Sequence, residues 1–199
     1  MERYYITISR QFGSLGRPIA RELSEILGVE YYDRDIVEQT SKKMNLPVSK
    51  VSDKEEQITK LSFFDMLFPL GEASIDTQDK IFDVQKQIII NFAERGSGIF
   101  VGRCADYILK DYVNCLHVFI YAPSEQRYQN CVNTLQMEPA QATKMMVEVD
   151  KARERYWLKY AKYKPSDIKN RHIMIDSSIL GVKGTAKILA NIIKEKYGT

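Results

Sequence analysis

Short apolar runs alternate with amphipathic stretches along most of the chain. Five runs, rich in β-branched and aromatic residues, predict strands at residues 4–9, 29–32, 98–101, 115–121 and 172–175. Longer stretches with apolar positions three and four apart separate them, the spacing of a helix with one buried face. Strands that alternate with helices are typical of a parallel sheet covered on both faces. We therefore predict an α/β fold.

Helical periodicity and end signals place the helices between these strands. The first is predicted over 17–27, with Gly28 as its C-terminal cap, and the second over 35–44, with Asp35 able to cap it. Three more are predicted over 76–94, 139–163 and 182–196. The apolar segment from Leu61 to Leu70 is too irregular to assign. It is a substrate-covering flap, a homodimer contact or a short helix packed on the core.

Composition excludes several classes of protein. The 199 residues, 44% of them hydrophobic, are enough for one sizeable core, so we expect a single domain. A net charge of +3 from 29 basic and 26 acidic residues is too balanced for a nucleic-acid coat. Three cysteines without metal-type spacing indicate a reducing cytoplasm and predict no metal site. Without an apolar run of about 20 residues, we expect no membrane span and a cytoplasmic location.

The first predicted strand leads into the layout of a phosphate-binding loop. An apolar strand, a glycine-containing turn and a helix start put backbone N–H groups and the positive helix end at one place. The turn departs from the pattern G-x-x-x-x-G-K-[ST], with Gln11 at the first glycine, Arg17 at the lysine and Pro18 at the hydroxyl residue. The candidate phosphate-binding residues are Gln11, Phe12, Gly13, Ser14, Leu15, Gly16, Arg17 and Pro18.

Polar residues follow three other predicted strands. They form the groups Asp33-Arg34-Asp35, Gly102-Arg103-Cys104-Ala105-Asp106 and Asp176-Ser177-Ser178. The carboxyl ends of parallel strands lie at one edge of a sheet, so these groups are candidates for substrate binding. Simpler roles stay open: Asp35 as a helix cap, Arg103 as half of an ion pair, and Ser177 or Ser178 as a cap of the last helix.

Charged residues on two later helical stretches extend this set. Arg127 lies one turn into a helix that Ser124 is expected to cap, and Asp150 and Arg153 are three residues apart, close enough to face one ligand. A solvated charged helix is the alternative. Arginines and aspartates that converge at one sheet edge are the groups that phosphoryl transfer uses. Two aromatic residues on the same stretch, Tyr156 and Trp157, either stack on a base or pack inward.

Several of these motifs, in this order, resemble the cytidylate kinase-like family. They are Ile-Thr-Ile-Ser-Arg-Gln-Phe-Gly-Ser-Leu-Gly-Arg-Pro-Ile-Ala-Arg-Glu-Leu from Ile6, Tyr-Tyr-Asp-Arg-Asp from Tyr31, Val-Gly-Arg-Cys-Ala-Asp-Tyr-Ile-Leu from Val101 and Asp-Lys-Ala-Arg-Glu-Arg-Tyr from Asp150. The resemblance implies a three-layer P-loop kinase fold with a five-stranded parallel sheet in the order 2-3-1-4-5. It also implies an acceptor-binding helical insertion within 34–95, a lid within 125–170, and phosphoryl transfer from ATP with Mg²⁺ to a nucleotide.

The resemblance also implies roles for single residues. Arg17 would reach the donor phosphates, and Arg103 would clamp the acceptor phosphate. Asp33, with Arg34 beside it, and Asp106 would contact the acceptor nucleotide. Arg127 would be a lid arginine, and Asp150 with Arg153 would hold the acceptor's sugar and phosphate. Arg17, Arg103, Arg127 and Arg153 form the predicted catalytic set.

Four departures from the family pattern keep the function open. Pro18 has neither a backbone N–H nor a hydroxyl group, and Leu15 stands where glycine is usual. Arg17 has a planar guanidinium where the pattern has the compact ammonium group of lysine. Met146 stands where cytidylate kinases have a further arginine. The leading hypothesis is a kinase for a nucleoside monophosphate, with CMP or dCMP first. The alternatives are a nucleotide-binding module without catalysis and a kinase for a different small phosphate acceptor. Nucleic-acid binding is the least supported.

Overall fold

The computed structural model describes residues 3–44 and 75–198. In these ranges the strands are β1 (Tyr5–Arg10), β2 (Glu30–Tyr32), β3 (Gly98–Val101), β4 (Cys115–Tyr121) and β5 (Ile173–Asp176). The helices are α1 (Gly16–Leu27), α2 (Arg34–Met44), α3 (Ile75–Arg95), α4 (Ala105–Ile108), α5 (Ser124–Gln129), α6 (Pro139–Tyr160) and α7 (Gly181–Tyr197). The interpretations of residues 61–70 concern a segment outside the described residues.

The five strands form one sheet in the order β2-β3-β1-β4-β5, and every neighbouring pair is parallel. The predicted order 2-3-1-4-5 is therefore confirmed. Ile8 in the central strand is level with Val101 in β3 and Val118 in β4. The carboxyl ends of these three strands consequently meet at one edge, where the loops after β1, β3 and β4 lie side by side.

Two apolar clusters cover the two faces of the sheet. One face packs Ile6 and Ile8 of β1 against α1 and α7, and the other packs Phe100 of β3 against α3 and the end of α6. Alternate residues of a strand point to opposite faces, which explains why Tyr5 lies in the second cluster while Ile6 lies in the first. The fold is thus a three-layer α/β sandwich.

A third apolar cluster lies outside these layers. Phe12, in the loop after β1, packs against Cys131 and against residues on the first half of α6, among them Met145, Met146 and Val149. The cluster joins the loop after β1 to the helical segment that follows β4. Met146 is therefore a packing residue, buried in this cluster.

Helix and strand ends lie close to their predicted positions, with two informative differences. The helix α6 ends at Tyr160 rather than at 163, because the N–H groups of Ala161 and Lys162 both bind the Trp157 carbonyl and Lys162 has a left-handed φ of 66°. Ser124 is the first helical residue and Pro123 its N-cap, so the prediction that Ser124 caps this helix is wrong. Gly28 caps α1 as predicted, donating its N–H to the Ser24 carbonyl. None of the helices described is long and apolar enough to cross a bilayer.

Candidate phosphate-binding site

The loop after β1 turns sharply before it enters α1. Gly13 has a φ of 77° and Leu15 a φ of 57°, and the first helical hydrogen bond runs from the Ile19 N–H to the Leu15 carbonyl. A Cβ on Gly13 would lie 2.8 Å from the Arg127 carbonyl oxygen, so only glycine fits there. Within the described residues, the N–H groups of Gly13, Leu15 and Gly16 donate to no hydrogen bond. These three N–H groups remain for a ligand.

Side chains hold five consecutive carbonyl groups of this loop. The hydrogen bonds run from Arg153 to the carbonyl of Arg10 (3.0 Å), from Ser14 to that of Gln11 (2.9 Å), from Arg127 to that of Phe12 (3.1 Å), from Asn130 to that of Gly13 (2.9 Å) and from Ser177 to that of Ser14 (2.8 Å). In a trans peptide unit the C=O and the next N–H point in opposite directions. The bonds to the Phe12 and Ser14 carbonyls therefore turn the N–H groups of Gly13 and Leu15 away from the side chains that hold the loop. This is the geometry of a backbone anion site.

Asp150 on α6 is bound to the same loop. Its carboxylate accepts the N–H of Phe12 at 2.8 Å and the guanidinium of Arg127 at 2.5 Å, and it lies 3.8 Å from the Arg153 guanidinium. The sequence led us to expect all three of these charged residues at a substrate. In the structure they lie together, and their hydrogen bonds and ion pairs are with the loop backbone and with one another.

Asp33, at the end of β2, is the buried carboxylate of the site. It is ion-paired with Arg17 and lies 3.8 Å from Arg10, and it is 1% exposed. Burial alone would raise the pKa of this carboxyl. The guanidiniums of Arg17, Arg10 and Arg103 outweigh burial and hold that pKa below its usual value. Its Oδ1 is buried and accepts no hydrogen bond from the described residues.

Arg103 follows β3 in a strained stretch of backbone. Gly102, Arg103 and Cys104 have φ values of 75°, 55° and 53°, a left-handed run that is costly for the two non-glycine residues. The run brings the Arg103 side chain, in a residue 8% exposed, into the field of Asp33. Burial lowers the pKa of Arg103, although the Asp33 charge partly offsets it.

Positive charge exceeds negative charge in this cluster. Among the described residues it contains the five guanidiniums of Arg10, Arg17, Arg103, Arg127 and Arg153 and the two carboxylates of Asp33 and Asp150, an excess of three positive charges. Burial and the nearby charge of Arg10 lower the pKa of Arg153 well below its usual value. Bound anions would neutralise the net positive charge of this cluster. Planar guanidinium groups can form paired hydrogen bonds with phosphate oxygens.

Two predicted substrate-binding residues contact other protein groups in the structure. Asp106 is 2% exposed, and its carboxylate accepts hydrogen bonds from Trp157 (3.1 Å), Tyr163 (2.7 Å) and Arg171 (2.6 Å). It belongs to a buried polar cluster that joins α4, the end of α6 and the start of β5. Arg34 pairs with Glu38 at 3.1 Å, one turn along α2. The inward-packing alternative for Trp157 and Tyr156 holds, since both are buried.

Sequence reasoning missed two residues of the site, Arg10 at the end of β1 and Asn130 after α5. It included Ser177 in a candidate substrate-binding group, with a cap of the last helix as the alternative. Ser177 instead donates to the carbonyls of Ser14 and Tyr121, while α7 begins four residues later with Leu180 as its N-cap. The position of Arg10 could have indicated its role, because a charged residue at the end of a buried central strand lies at the ligand-binding edge of the sheet. Nothing in the local sequence around Asn130 indicated a role in the site.

The donor set fits a polyphosphate. Amide N–H groups and guanidiniums are the groups that bind ATP phosphates in P-loop proteins. A protein-held Mg²⁺ fits less well, because the buried carboxylate oxygens of the described site are surrounded by guanidiniums. Over the described ranges no three acidic, histidine or cysteine side chains are grouped as a metal site. We therefore assign no residue to Mg²⁺.

Comparison with known proteins agrees with this geometry. The sequence profile of the cytidylate kinase-like family matches residues 5–179. No curated protein sequence matches the chain. Among solved structures, an uncharacterized protein from Eubacterium ventriosum is 22% identical with a TM-score of 0.69, and the match covers 99% of both chains.

Two shikimate kinases share the fold at lower identity. That from Bacteroides thetaiotaomicron is 9% identical with a TM-score of 0.59, over 97% of this chain and 99% of the other. That from Acinetobacter baumannii, solved with shikimate, is 16% identical with a TM-score of 0.53, over 98% and 96%. The fold is therefore that of P-loop kinases.

Proposed function

The chain belongs to the cytidylate kinase-like family, and from that premise we propose that it transfers the γ-phosphate of ATP to a nucleoside monophosphate, with CMP or dCMP as the first acceptor to test. The observation that carries the proposal is the excess of three positive charges around the loop after β1. A kinase that binds ATP and a nucleoside monophosphate together must hold the negative charge of both sets of phosphates at one site, and an excess of positive charge suits that task. The family and the fold are those of small-molecule kinases.

The loop after β1 would bind the donor. The N–H groups of Gly13, Leu15 and Gly16, together with the start of α1, would hold the phosphates of ATP. Arg17, beside Asp33, would lie close enough to neutralise donor charge. Mg²⁺ would arrive with ATP as its phosphate complex, since Mg²⁺ is commonly held by substrate phosphates and water.

The loop after β3 would bind the acceptor. Arg103 would clamp the acceptor phosphate, and the buried Asp33 Oδ1 would accept a hydrogen bond from a hydroxyl or amino group of the acceptor. An acceptor phosphate oxygen then attacks the γ-phosphorus in line. The new O–P bond forms as the bond to the β,γ-bridging oxygen breaks, and ADP leaves. No general base is needed, because a phosphate monoester is largely ionised at pH 7.

A coupled assay of ADP release tests the proposal. Wild-type protein is incubated with ATP, Mg²⁺ and each nucleoside monophosphate in turn, beside Arg103→Ala. Arg21→Ala, which removes an exposed guanidinium from α1, is the matched control. We expect turnover with a pyrimidine monophosphate, a loss of about 100-fold or more in Arg103→Ala and no change in Arg21→Ala. Wild-type turnover no faster than that of Arg103→Ala with every acceptor would reject the proposal.

One observation favours a kinase for a different acceptor. Met146 is 9% exposed and packs in the apolar cluster around Phe12, so this position offers no guanidinium to a nucleotide. The same assay with small hydroxylated carboxylates and sugar phosphates separates this candidate from the first. Turnover confined to one of those acceptors would favour it.

Another observation favours nucleotide binding without transfer. Pro18 lies in the first turn of α1, where it brings neither an N–H nor a hydroxyl to the phosphates. Calorimetry with ATP distinguishes this case. Tight binding without ADP release for any acceptor would support a binding module, and measurable transfer would exclude it.

A further inference from the structure

The side chain of Arg10 lies between two loops of the site. It is 9% exposed and extends from the end of β1. A Cβ on Gly16 would lie 2.8 Å from the Arg10 Cβ, and a Cβ on Gly102 would lie 2.1 Å from Arg10 Nη1. Both distances are too short for real atoms, so these two glycines leave the space that Arg10 occupies. The guanidinium thus reaches from the start of α1 to the loop after β3.

This guanidinium has no hydrogen-bond acceptor in the described protein. Its closest carboxylate oxygen is Asp33 Oδ1, 3.8 Å from Nη2, which is longer than a hydrogen bond. Within the described residues the Arg10 guanidinium donates no hydrogen bond, and the buried Asp33 Oδ1 accepts none. Burial, with the charges of Arg17 and Arg103, lowers the pKa of Arg10 to about 10, so it stays protonated at neutral pH. A largely buried cation whose donors have no acceptor in the described protein is well placed to bind an anion.

Arg171 shows how most donors of a buried structural arginine are used in the same protein, although its Nη2 has no hydrogen-bond partner among the described residues. Its guanidinium is paired with Asp106 at 2.6 Å and also donates to the carbonyls of Pro165 and Asn170. Arg10 is within 3.8 Å of Asp33, but its guanidinium donates no hydrogen bond within the described residues, although its side chain is nearly as buried. The difference points to a partner outside the described residues.

We propose that Arg10 binds a non-bridging oxygen of the phosphoryl group that passes from donor to acceptor and is therefore a catalytic residue. The inference rests on the proposed function and deepens it. As the bond from the γ-phosphorus to its bridging oxygen breaks and the bond to the acceptor oxygen forms, negative charge is spread over the non-bridging oxygens. Arg10 neutralises that charge midway between the donor loop and Arg103.

Measuring the affinity for pyrophosphate tests the inference without requiring that the protein catalyse a reaction. Arg10→Met removes the charge at similar length, Arg10→Lys keeps it, and Arg21→Met on the surface of α1 is the matched control. Calorimetry with pyrophosphate should show an affinity about 10- to 100-fold weaker in Arg10→Met, a smaller loss in Arg10→Lys and none in Arg21→Met. Equal pyrophosphate affinity in wild type and Arg10→Met, or no binding by wild type, would overturn the inference.

Thermal unfolding separates a ligand-binding arginine from a structural one. Without anion, Arg10→Met should melt at or above the wild-type temperature, because it removes a buried cation that has no hydrogen bond. Added pyrophosphate should raise the melting temperature of the wild type more than that of the variant. A lower melting temperature of the anion-free variant, with an unchanged response to pyrophosphate, would show that Arg10 is structural.

Measurements of kcat then test whether Arg10 acts in the phosphoryl transfer itself. We expect a fall in kcat of about 100-fold in Arg10→Met, partial recovery in Arg10→Lys and no change in Arg21→Met. Wild-type kcat in Arg10→Met would overturn the catalytic role while leaving the proposed function intact. Absence of transfer by the wild type, with pyrophosphate binding that still depends on Arg10, would reject the proposed function and the catalytic role but keep Arg10 as an oxyanion ligand.

Discussion

The Asp150 carboxylate on α6 accepts the N–H of Phe12 at 2.8 Å and the guanidinium of Arg127 at 2.5 Å. Arg127 in turn donates to the Phe12 carbonyl at 3.1 Å. Two charged side chains thus hold both backbone groups of one loop residue, and the Phe12 ring is buried in the apolar cluster with Met145 and Val149. The shape of the loop depends on residues more than 100 positions away in the sequence.

Asp150→Ala should therefore loosen the loop. The variant removes the acceptor of the Phe12 N–H and the carboxylate that pairs with the buried Arg127 guanidinium, which we expect to lower the free energy of unfolding by about 1–3 kcal/mol. The affinity for pyrophosphate should fall as well, because the loop N–H groups lose their fixed orientation. Urea unfolding and calorimetry measure the two effects. Glu148→Gln, at an exposed position on the same helix that pairs with Lys144, should change neither.

Gly13→Ala should distort the same loop through a steric clash rather than through the loss of a hydrogen bond. An added Cβ would lie 2.8 Å from the Arg127 carbonyl oxygen and 2.9 Å from Cys131 Sγ, at a φ of 77°. We expect a loss of about 1–3 kcal/mol in the free energy of unfolding and loss of pyrophosphate binding. Gly96→Ala is the matched control, because a Cβ there meets no atom within 4 Å. If the two alanine variants unfold at the same urea concentration, the described loop geometry is wrong.

The sequence predicted the fold better than the roles in the site. Apolar runs such as Ile6 and Ile8 identify buried strands locally, and the strand order followed from the family resemblance. The target of a charged side chain depends instead on the residues that folding places around it. Asp106 was predicted to contact substrate because it follows β3, yet its carboxylate binds Arg171, which precedes β5. No local pattern links those two positions.

The loop contacts were unpredictable for the same reason. Asn130 reaches the Gly13 carbonyl from a π-helical turn after α5, a contact that spans 117 residues. Motif reasoning assigns phosphate-binding loops by glycines and a lysine, and it says nothing of the side chains that orient the carbonyls. Arg127 and Arg153 were recognised as site residues, but their bonds to this backbone became visible only in the folded chain.

Asp106→Asn tests whether the Asp106 cluster is structural. The ion pair with Arg171 is buried, with side chains 2% and 0% exposed, so an amide in place of the carboxylate leaves a buried cation uncompensated. We expect a loss of about 3–5 kcal/mol in the free energy of unfolding, measured in urea. Any protein that remains folded should bind pyrophosphate with wild-type affinity. Asp111→Asn, at an exposed turn before β4, is the control. If the affinity for pyrophosphate falls while the free energy of unfolding is unchanged, Asp106 binds substrate as the sequence predicted.

Acid should destabilise the protein through His117. Burial lowers the pKa of this imidazole from 6.5 to about 4, with Asp106 opposing the shift and His172 and Arg171 adding to it. Its ring nitrogen Nδ1 lies 2.8 Å from Thr7 Oγ1, and the His172 ring stacks on it. The unfolded chain binds a proton at pH values where the folded chain does not, so this contribution to stability is present above pH 6.5 and is lost as the pH falls toward 4. We expect on the order of 2 kcal/mol from this histidine, seen as a slope in the free energy of unfolding between pH 6.5 and 4. His117→Gln should flatten the slope, whereas an equal slope in the variant would assign it to other groups.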